Sequence, residues 1–245
     1  MSNKGVFVIT QARIKSTRLP SKILLDVLGI PLIVLFIERL MQMKNVDGII
    51  IATTDDEDGR KIESIVKKYH PQVLFFFGSE TNVLDRYYQA AKKYSVKHIV
   101  RITSDCPLID PEISDLVIEN YFEKKVDYCA NNFPPRTYAH GLDTEVFSFA
   151  SLEISWKNAT KADEFEHVTP YIRKNPSLFT HFHLADSTKE SFDNRWTLDY
   201  LEDFDLINQI YSHLYQKNKF FRTKDILHLL EQFPSLKKLN KIHHI

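Results

Sequence analysis

The feature that most constrains this chain is the alternation, through its first half, of short apolar runs with segments of helical periodicity. Val6 to Thr10, Gly48 to Thr53, Val73 to Phe77 and His98 to Thr103 are rich in β-branched, aromatic and other apolar residues. Between them, Pro31 to Met43, Asp56 to Tyr69 and Asn82 to Tyr94 repeat apolar residues at three- and four-residue spacing. Strands and helices in turn imply βαβ units, a parallel sheet and right-handed crossovers. Runs such as GIIIA and VLFFF lack polar alternation, as strands covered on both faces do. The expected fold class is α/β: a Rossmann-like, mostly parallel sheet with helices on both faces and an irregular subregion.

In such sheets ligands bind beyond the carboxyl ends of the strands, where the strand order reverses. Gln11 to Lys22, Thr53 to Asp58, Gly78 to Asp85 and Ser104 to Asp110 all leave strands at that edge and should converge on one crevice. The first lies in ITQARIKSTRLPSKIL, which sets Arg13, Lys15, Arg18 and Lys22 close together with no acid before Asp26. Lys plus Arg and Asp plus Glu number 32 each, so no global field draws the protein to nucleic acid or an anionic membrane. Any anion site must therefore be local. A solvated basic loop is the plainer reading, but the position after the first strand favours a phosphate site. The stretch contains no glycine, so it is neither GxxxxGK nor GxGxxG, and its grip must rest on side-chain charge and a few backbone amides. Pro20 stiffens the loop, and Lys22 can reach a phosphate as a compact point charge.

A triphosphate needs Mg²⁺, which takes one or two carboxylates and keeps several waters. Asp105 in RITSDCPLID directly follows a strand. Asp199 in RWTLDYLEDFDL stands where a short strand meets a helix. A turn aspartate and a helix N-cap are the respective alternatives. No GxSxG or HExxH points to a nucleophile or a zinc site.

From about Asn131 the pattern turns irregular. NNFPPRTYAHGLDTEVF reads as a loop leading into a strand, and Asp163 with Glu166 as a capping box for a helix running to about Asn175. LFTHFHL and RWTLD read as strands, Tyr200 to Tyr215 and Thr223 to Phe233 as amphipathic helices, and KKLNKIHHI as a solvated tail. With no repeat or linker, the expected organisation is one domain over residues 1–245: a core of about 6–210 and a helical extension of about 211–245. A hydrophobic content of 43% supports a substantial core without a staple. Cys106 and Cys129 form no CxxC pair and suit a reducing cytoplasm. VFVIT is too short for a signal peptide, and no stretch approaches the roughly 20 apolar residues of a membrane span, so a cytoplasmic protein without a membrane partner is expected. TTDDED reads as the acidic start of a helix, and His181 with His183 as an ordinary strand pair lacking further metal ligands.

Six stretches, ITQARIKSTRLPSKIL, NVLDRYYQAAKKY, VRITSDCPLIDPEI, RTYAHGLDTEVFS, EHVTPYI and WTLDYLEDFDLI, together resemble the SpsF-type cytidylyltransferases. That family is named for spore-coat polysaccharide synthesis and is related to enzymes that make CMP-linked octulosonates and sialic acids. The resemblance covers about residues 6 to 210. It implies a GT-A-like nucleotidyltransferase fold with CTP over the first basic loop. An acceptor oxygen would attack the α-phosphorus in line and release pyrophosphate. On this resemblance Ala12 and Arg13 contact the nucleotide, Arg18 and Lys22 neutralise its phosphates, Arg86 and Thr103 frame base or ribose, and Asp105 and Asp199 hold Mg²⁺. Arg13, Lys22 and Asp105 form the expected catalytic set.

The acceptor pocket is expected in the irregular middle, from Asn131, Asn132, Arg136, Thr137, Tyr138, His140, Asp143 and Glu145, followed by Glu166 and His167. Arg136 could bind an acceptor carboxylate or phosphate. Ordinary loop structure, capping by Glu166 and helix packing by His167 are the alternatives. The chain has Ser21 where SpsF-type proteins more often have glycine, and AHG where PDG is common. The expectation is a CTP-dependent cytidylyltransferase acting on an acidic sugar or related small acceptor for a surface glycan, with homodimerisation implied by the family. Its rivals are a cytidylyltransferase giving a CDP-linked product from a phosphorylated acceptor, a GT-A glycosyltransferase, against which the lack of a DxD motif counts, and a non-catalytic nucleotide-binding protein.

Overall fold

The computed structural model describes residues 5–244. In chain order the elements are β1 (Val6–Ala12), the hairpin strands β2 (Asp26–Val27) and β3 (Ile30–Pro31), α1 (Leu32–Leu40), β4 (Gly48–Thr54), α2 (Glu57–Tyr69), β5 (Leu74–Gly78), α3 (Val83–Lys93) and β6 (His98–Arg101). There follow α4 (Pro111–Lys124), β7 (Tyr128–Ala130), β8 (Glu145–Ser148), α5 (Phe149–Asn158), α6 (Ala162–His167), α7 (Pro170–Lys174), β9 (His181–His183), α8 (Leu201–Leu214) and α9 (Thr223–Gln232).

One seven-stranded sheet runs β5-β4-β1-β6-β8-β7-β9. β1 is parallel to both β4 and β6, whereas β8 is antiparallel to β6 and β7. The chain builds outward from β1 through β4 to β5, then crosses back to lay β6 on the other side of β1. The strand order reverses there, and the crevice of such a sheet opens beyond those strand ends. Successive side chains of β1 serve opposite faces. Val6 and Val8 pack with Phe36, Ile37, Ile62 and Ile118, while Ile9 packs with Tyr87, Ala90 and Ala91 of α3. The sheet is therefore covered on both sides, as its unbroken apolar runs require.

A third apolar cluster joins Trp196, Leu198, Ile207, Ile210 and Tyr211 to Phe221 and Leu229 of the C-terminal region and to Leu32 and Leu35 of α1. α8 and α9 thus share a core with the sheet's first helix. No described helix is long and apolar enough to cross a membrane. Cys106 and Cys129 are buried free thiols.

Four expectations of the second half are corrected. RWTLD is not a strand: apart from a bridge between His140 and Arg195 it runs as extended backbone, pinned by Trp196 N–H to the His140 carbonyl (2.6 Å) and Leu198 N–H to the Asp105 carbonyl (2.8 Å). The capping box belongs to Glu164, which accepts from the Thr160 and Lys161 amides, while Asp163 pairs with Lys174. The single helix expected to run to Asn175 is two, broken at Val168 (φ 70°) ahead of Pro170. The terminal segment is not a solvated tail over its described residues: Asn240 is 1% exposed, with its side chain bonded inside the protein. Ile245 lies outside the described residues.

Candidate active site

Beyond the ends of β1 and β6 lies a cleft of about 330 Å³. The loop after β1 forms one wall and owes its shape to a few local contacts. Ser21 adopts a left-handed conformation (φ 57°), and its N–H closes the loop on the Ile14 carbonyl (3.0 Å). A short 3-10 turn, Lys22–Leu24, follows, anchored by buried Ile23. Lys22 is thereby directed into the cleft.

Its ammonium nitrogen stands 3.3 Å from Asp105 Oδ2, 3.0 Å from Asp199 Oδ1 and 2.7 Å from the Leu198 carbonyl oxygen. Arg18 Nη2 reaches Asp199 Oδ1 at 2.6 Å. Asp105 is oriented by Thr103, whose hydroxyl donates to Oδ1 at 2.5 Å. The other oxygen of Asp199 accepts from Arg195 Nη2 (3.0 Å), and Arg195 also grips both oxygens of Asp203. Asp203 in turn accepts from the Asp199 and Tyr200 amides, so Asp203 rather than Asp199 caps α8. That leaves the Asp199 side chain to face Lys22 and Arg18 in the cleft. Burial opposes its charge, but Lys22, Arg18 and Arg195 outweigh burial and hold its pKa below the usual carboxylate value.

The inner end of the cleft holds two buried arginines. Arg86, on α3, donates to the Ser79 carbonyl (2.9 Å). Arg101, at the end of β6, pairs with Glu145 Oε1 at 2.5 Å, and Glu145 Oε2 accepts from the Tyr128 hydroxyl. Burial opposes both charges of the Arg101–Glu145 pair, yet mutual attraction raises the guanidinium pKa and lowers the carboxyl pKa. The Nε of Arg86 and that of Arg101 have no hydrogen-bond partner among the described residues. Tyr87 O–H donates to the Gln11 side-chain oxygen and so orients that carboxamide. At the rim, Arg13 Nη2 lies 3.9 Å from Glu166 Oε1, with both side chains about half exposed. Lys15 faces Asp56 and Glu80 instead of the two acids of the cleft.

The structure thus brings Arg13, Arg18, Lys22, Arg86, Thr103, Asp105, Asp199, Glu166 and His167 onto one cleft. Ala12 is buried at the end of β1, its carbonyl bonded to the Thr53 hydroxyl. The other residues expected at an acceptor pocket stand outside the cleft lining. Asn131 bonds the Leu142 carbonyl and the Thr144 amide. Asn132 has an unpartnered Oδ1 among the described residues. Arg136 makes a two-pronged pair with Asp143 (2.6 and 2.9 Å), and Thr137 accepts from the Asp186 amide. Tyr138 lines a separate groove beside α9. His140 Nδ1 lies 3.2 Å from Arg195 Nη1, and burial lowers the ring's pKa, which favours the neutral form that can accept there.

Gln11 and Ser104, which open two of the loops expected at this crevice, line the cleft with Ser16 and Thr17 of the first loop, and Arg101 joins them from outside those loops. Arg101 had a signal: it is a lone charge ending the apolar strand HIVR. Arg195 and Asp203 had one too, in the four-residue spacings around Asp199. Asp105 and Asp199 are the carboxylates that suit Mg²⁺, a cation that binds through one or two protein acids together with waters and substrate phosphates.

A family model described as cytidylyltransferase matches residues 7–227. The spore coat polysaccharide biosynthesis protein SpsF of Bacillus subtilis is 34% identical over 212 residues, 84% of this chain and 86% of that protein. The 3-deoxy-manno-octulosonate cytidylyltransferase of Chlorobium chlorochromatii is 32% identical over 51% of this chain and 49% of its own length. Among solved structures, a cytidylyltransferase from Leptospira borgpetersenii superposes with a TM-score of 0.88 at 33% identity, covering 95% of this chain and 96% of that one.

Proposed function

The chain is a member of the cytidylyltransferase family, and on that premise we propose that it transfers a CMP group from CTP to an acidic sugar or related small acceptor, releasing pyrophosphate, in the making of a surface polysaccharide or glycan. The observation that carries this reading is the position of Lys22, whose ammonium lies between the carboxylates of Asp105 and Asp199 in the strand-end cleft.

Transfer at phosphorus depends on positioning and charge neutralisation and needs no covalent intermediate on the protein. Arg13, Arg18 and Lys22 line the wall against which the triphosphate lies. Lys22 also limits the mutual repulsion of the two acids. Two carboxylates fit Mg²⁺, so Asp105 and Asp199 would hold it, and the bound ion would neutralise charge on the phosphates and the leaving pyrophosphate.

At the inner end, the Nε groups of Arg86 and Arg101 are buried without a hydrogen-bond partner among the described residues, and the carboxamide of Gln11 lines the cleft. Cytosine offers acceptors at O2 and N3, where uracil offers N3–H, so a donor facing N3 favours CTP. Leaving such donors unmatched in a buried site is what penalises the wrong base. For the acceptor, support comes from the octulosonate-specific relative, whose named substrate is an acidic sugar.

Calorimetric titration with CTP, UTP, ATP and GTP, each with and without Mg²⁺, tests the nucleotide half. CTP-selective, Mg²⁺-sensitive binding is expected, and equal binding of all four would remove base recognition from the reading. A screen of acidic sugars for pyrophosphate release, followed by product mass, tests the acceptor half. A CDP-linked product would replace the acidic sugar with a phosphorylated acceptor.

A further inference from the structure

The residues after Leu239 touch the site from behind. Asn240 Nδ2 donates to the Arg195 carbonyl (2.8 Å) and to Asp203 Oδ1 (2.9 Å). Those two residues form the support of Asp199: Arg195 bonds its Oδ2, and Asp203 takes its amide. Three residues on, the His243 ring stacks on Tyr200 at 3.8 Å between centroids and 8° between planes, while its Nε2 lies 3.1 Å from Glu202 Oε2. Tyr200 directly follows Asp199 and carries the Arg18 guanidinium 5.3 Å from its ring centroid. The tail therefore meets both flanks of Asp199, through polar and ring contacts.

Apolar burial does not account for this docking. Ile242 is 76% exposed and Leu239 37%, whereas the polar Asn240 is 1% exposed. A segment that closed the fold by hydrophobic packing would show the reverse pattern. We propose that Asn240 and His243 are positioning residues, a strut that fixes the Asp199 carboxylate through Arg195, Asp203 and Tyr200. Its effect on turnover rests on the cytidylyltransferase reading, whereas its effect on the Asp199 backbone does not. Arg195 and Asp203 stand one step behind Asp199, where loss of a partner typically costs about 10- to 100-fold in metal affinity or activity, and Asn240 stands one step behind them, so its loss is expected at the lower end of that range.

The test uses full-length Asn240→Ala and, separately, His243→Ala, which touches only the half-buried Tyr200 and Glu202 and is the milder change. In ligand-free protein, hydrogen exchange at the Asp199 and Tyr200 amides is expected to rise about 10-fold or more in Asn240→Ala. In steady-state assays the Mg²⁺ concentration for half-maximal pyrophosphate release is expected to rise about 10-fold. At a fixed Mg²⁺ level kcat falls while the KM for CTP stays within about twofold, and excess Mg²⁺ restores part of the rate. His243→Ala moves the same quantities in the same direction by less. A fall in melting temperature with the Mg²⁺ midpoint unchanged would mean a merely structural role and overturn the proposal. Unchanged exchange in both variants overturns it whatever the cleft does. Faster exchange in a protein whose wild type shows no Mg²⁺-dependent CTP turnover supports the strut and rejects the reading of the cleft.

Discussion

The Lys22 ammonium stands 3.0 Å from the Asp199 carboxylate, a residue 177 positions later in the chain. The contact joins the loop after the first strand to the turn that begins α8, and both side chains are largely buried, at 13% and 11% exposure. A charge pair so shielded from water interacts more strongly than a surface pair, and losing either partner strands the other.

Lys22→Ala leaves Asp105 and Asp199 without their shared cation and, on the proposed function, removes a contact to the triphosphate. The expected result is a rise in the KM for CTP together with a fall in kcat, about 10²- to 10³-fold in kcat/KM. Lys22→Arg should restore only part of this, because a planar guanidinium cannot replace a compact ammonium between two acids. Steady-state kinetics with CTP varied reads both.

Asp105→Ala should separate binding from chemistry. The cationic wall remains, so calorimetric affinity for CTP measured without Mg²⁺ changes little and the gain on adding Mg²⁺ shrinks, while kcat falls far more, because the metal-side charge matters most where charge moves. Near-normal turnover under saturating Mg²⁺ would remove Asp105 from the site.

Glu145→Ala leaves Arg101 charged, buried and unpaired. The expected cost is about 3–5 kcal/mol in urea unfolding. Adding Arg101→Met to Glu145→Ala should recover part of that stability while still weakening nucleotide binding, since Arg101 lines the inner cleft.

Gly141→Ala should harm activity more than its stability loss explains. Gly141 sits at φ +110°, and an added Cβ would lie 2.5–2.7 Å from backbone atoms of Trp196 and Thr197. The conformation alone costs about 1–3 kcal/mol for a residue other than glycine. The clash pushes on the strand-like segment that carries Asp199 two residues later. Melting temperature and kcat per folded molecule, measured together, check this.

Asp203 predicts the acid limb of stability. Burial opposes its charge, yet Arg195, Asn240 and the Asp199 amide hold its folded-state pKa below the ordinary value. Between the folded pKa and an unfolded value of about 3.9 the unfolded chain binds more protons, so stability is present above that window and is lost as pH falls through the folded pKa. Asp203→Asn is expected to flatten the slope of urea midpoint against pH below about 4.

Much of the first half was legible because its signals are local. The strand beginning at Val6 is extended in the structure to Ala12, and the helix expected from Asp56 starts at Glu57 with Asp56 as its cap, accepting from the Gly59 amide. A run of β-branched residues or a capping aspartate acts through neighbours a few positions away, and those neighbours are printed in the sequence. The second half misled where two local signals competed. Glu166 had the spacing of a capping partner, but Glu164 took that role and left Glu166 on the cleft rim. RWTLD had strand composition but meets His140 and Asp105 instead of joining the sheet.

The amino-acid sequence by itself determined the alternating architecture, the edge of the sheet where the cleft opens, and the loop that carries the cations. Only the tertiary structure decided which acids those cations meet, that Arg101 and Glu145 form a buried pair beneath the cleft, and that Asn240 supports Asp199 from the far end of the chain. The physical reason is range. Periodicity, capping and turn preference act over a few residues, whereas a charge selects its partner by distance in space, and that distance is set only once the apolar layers have packed.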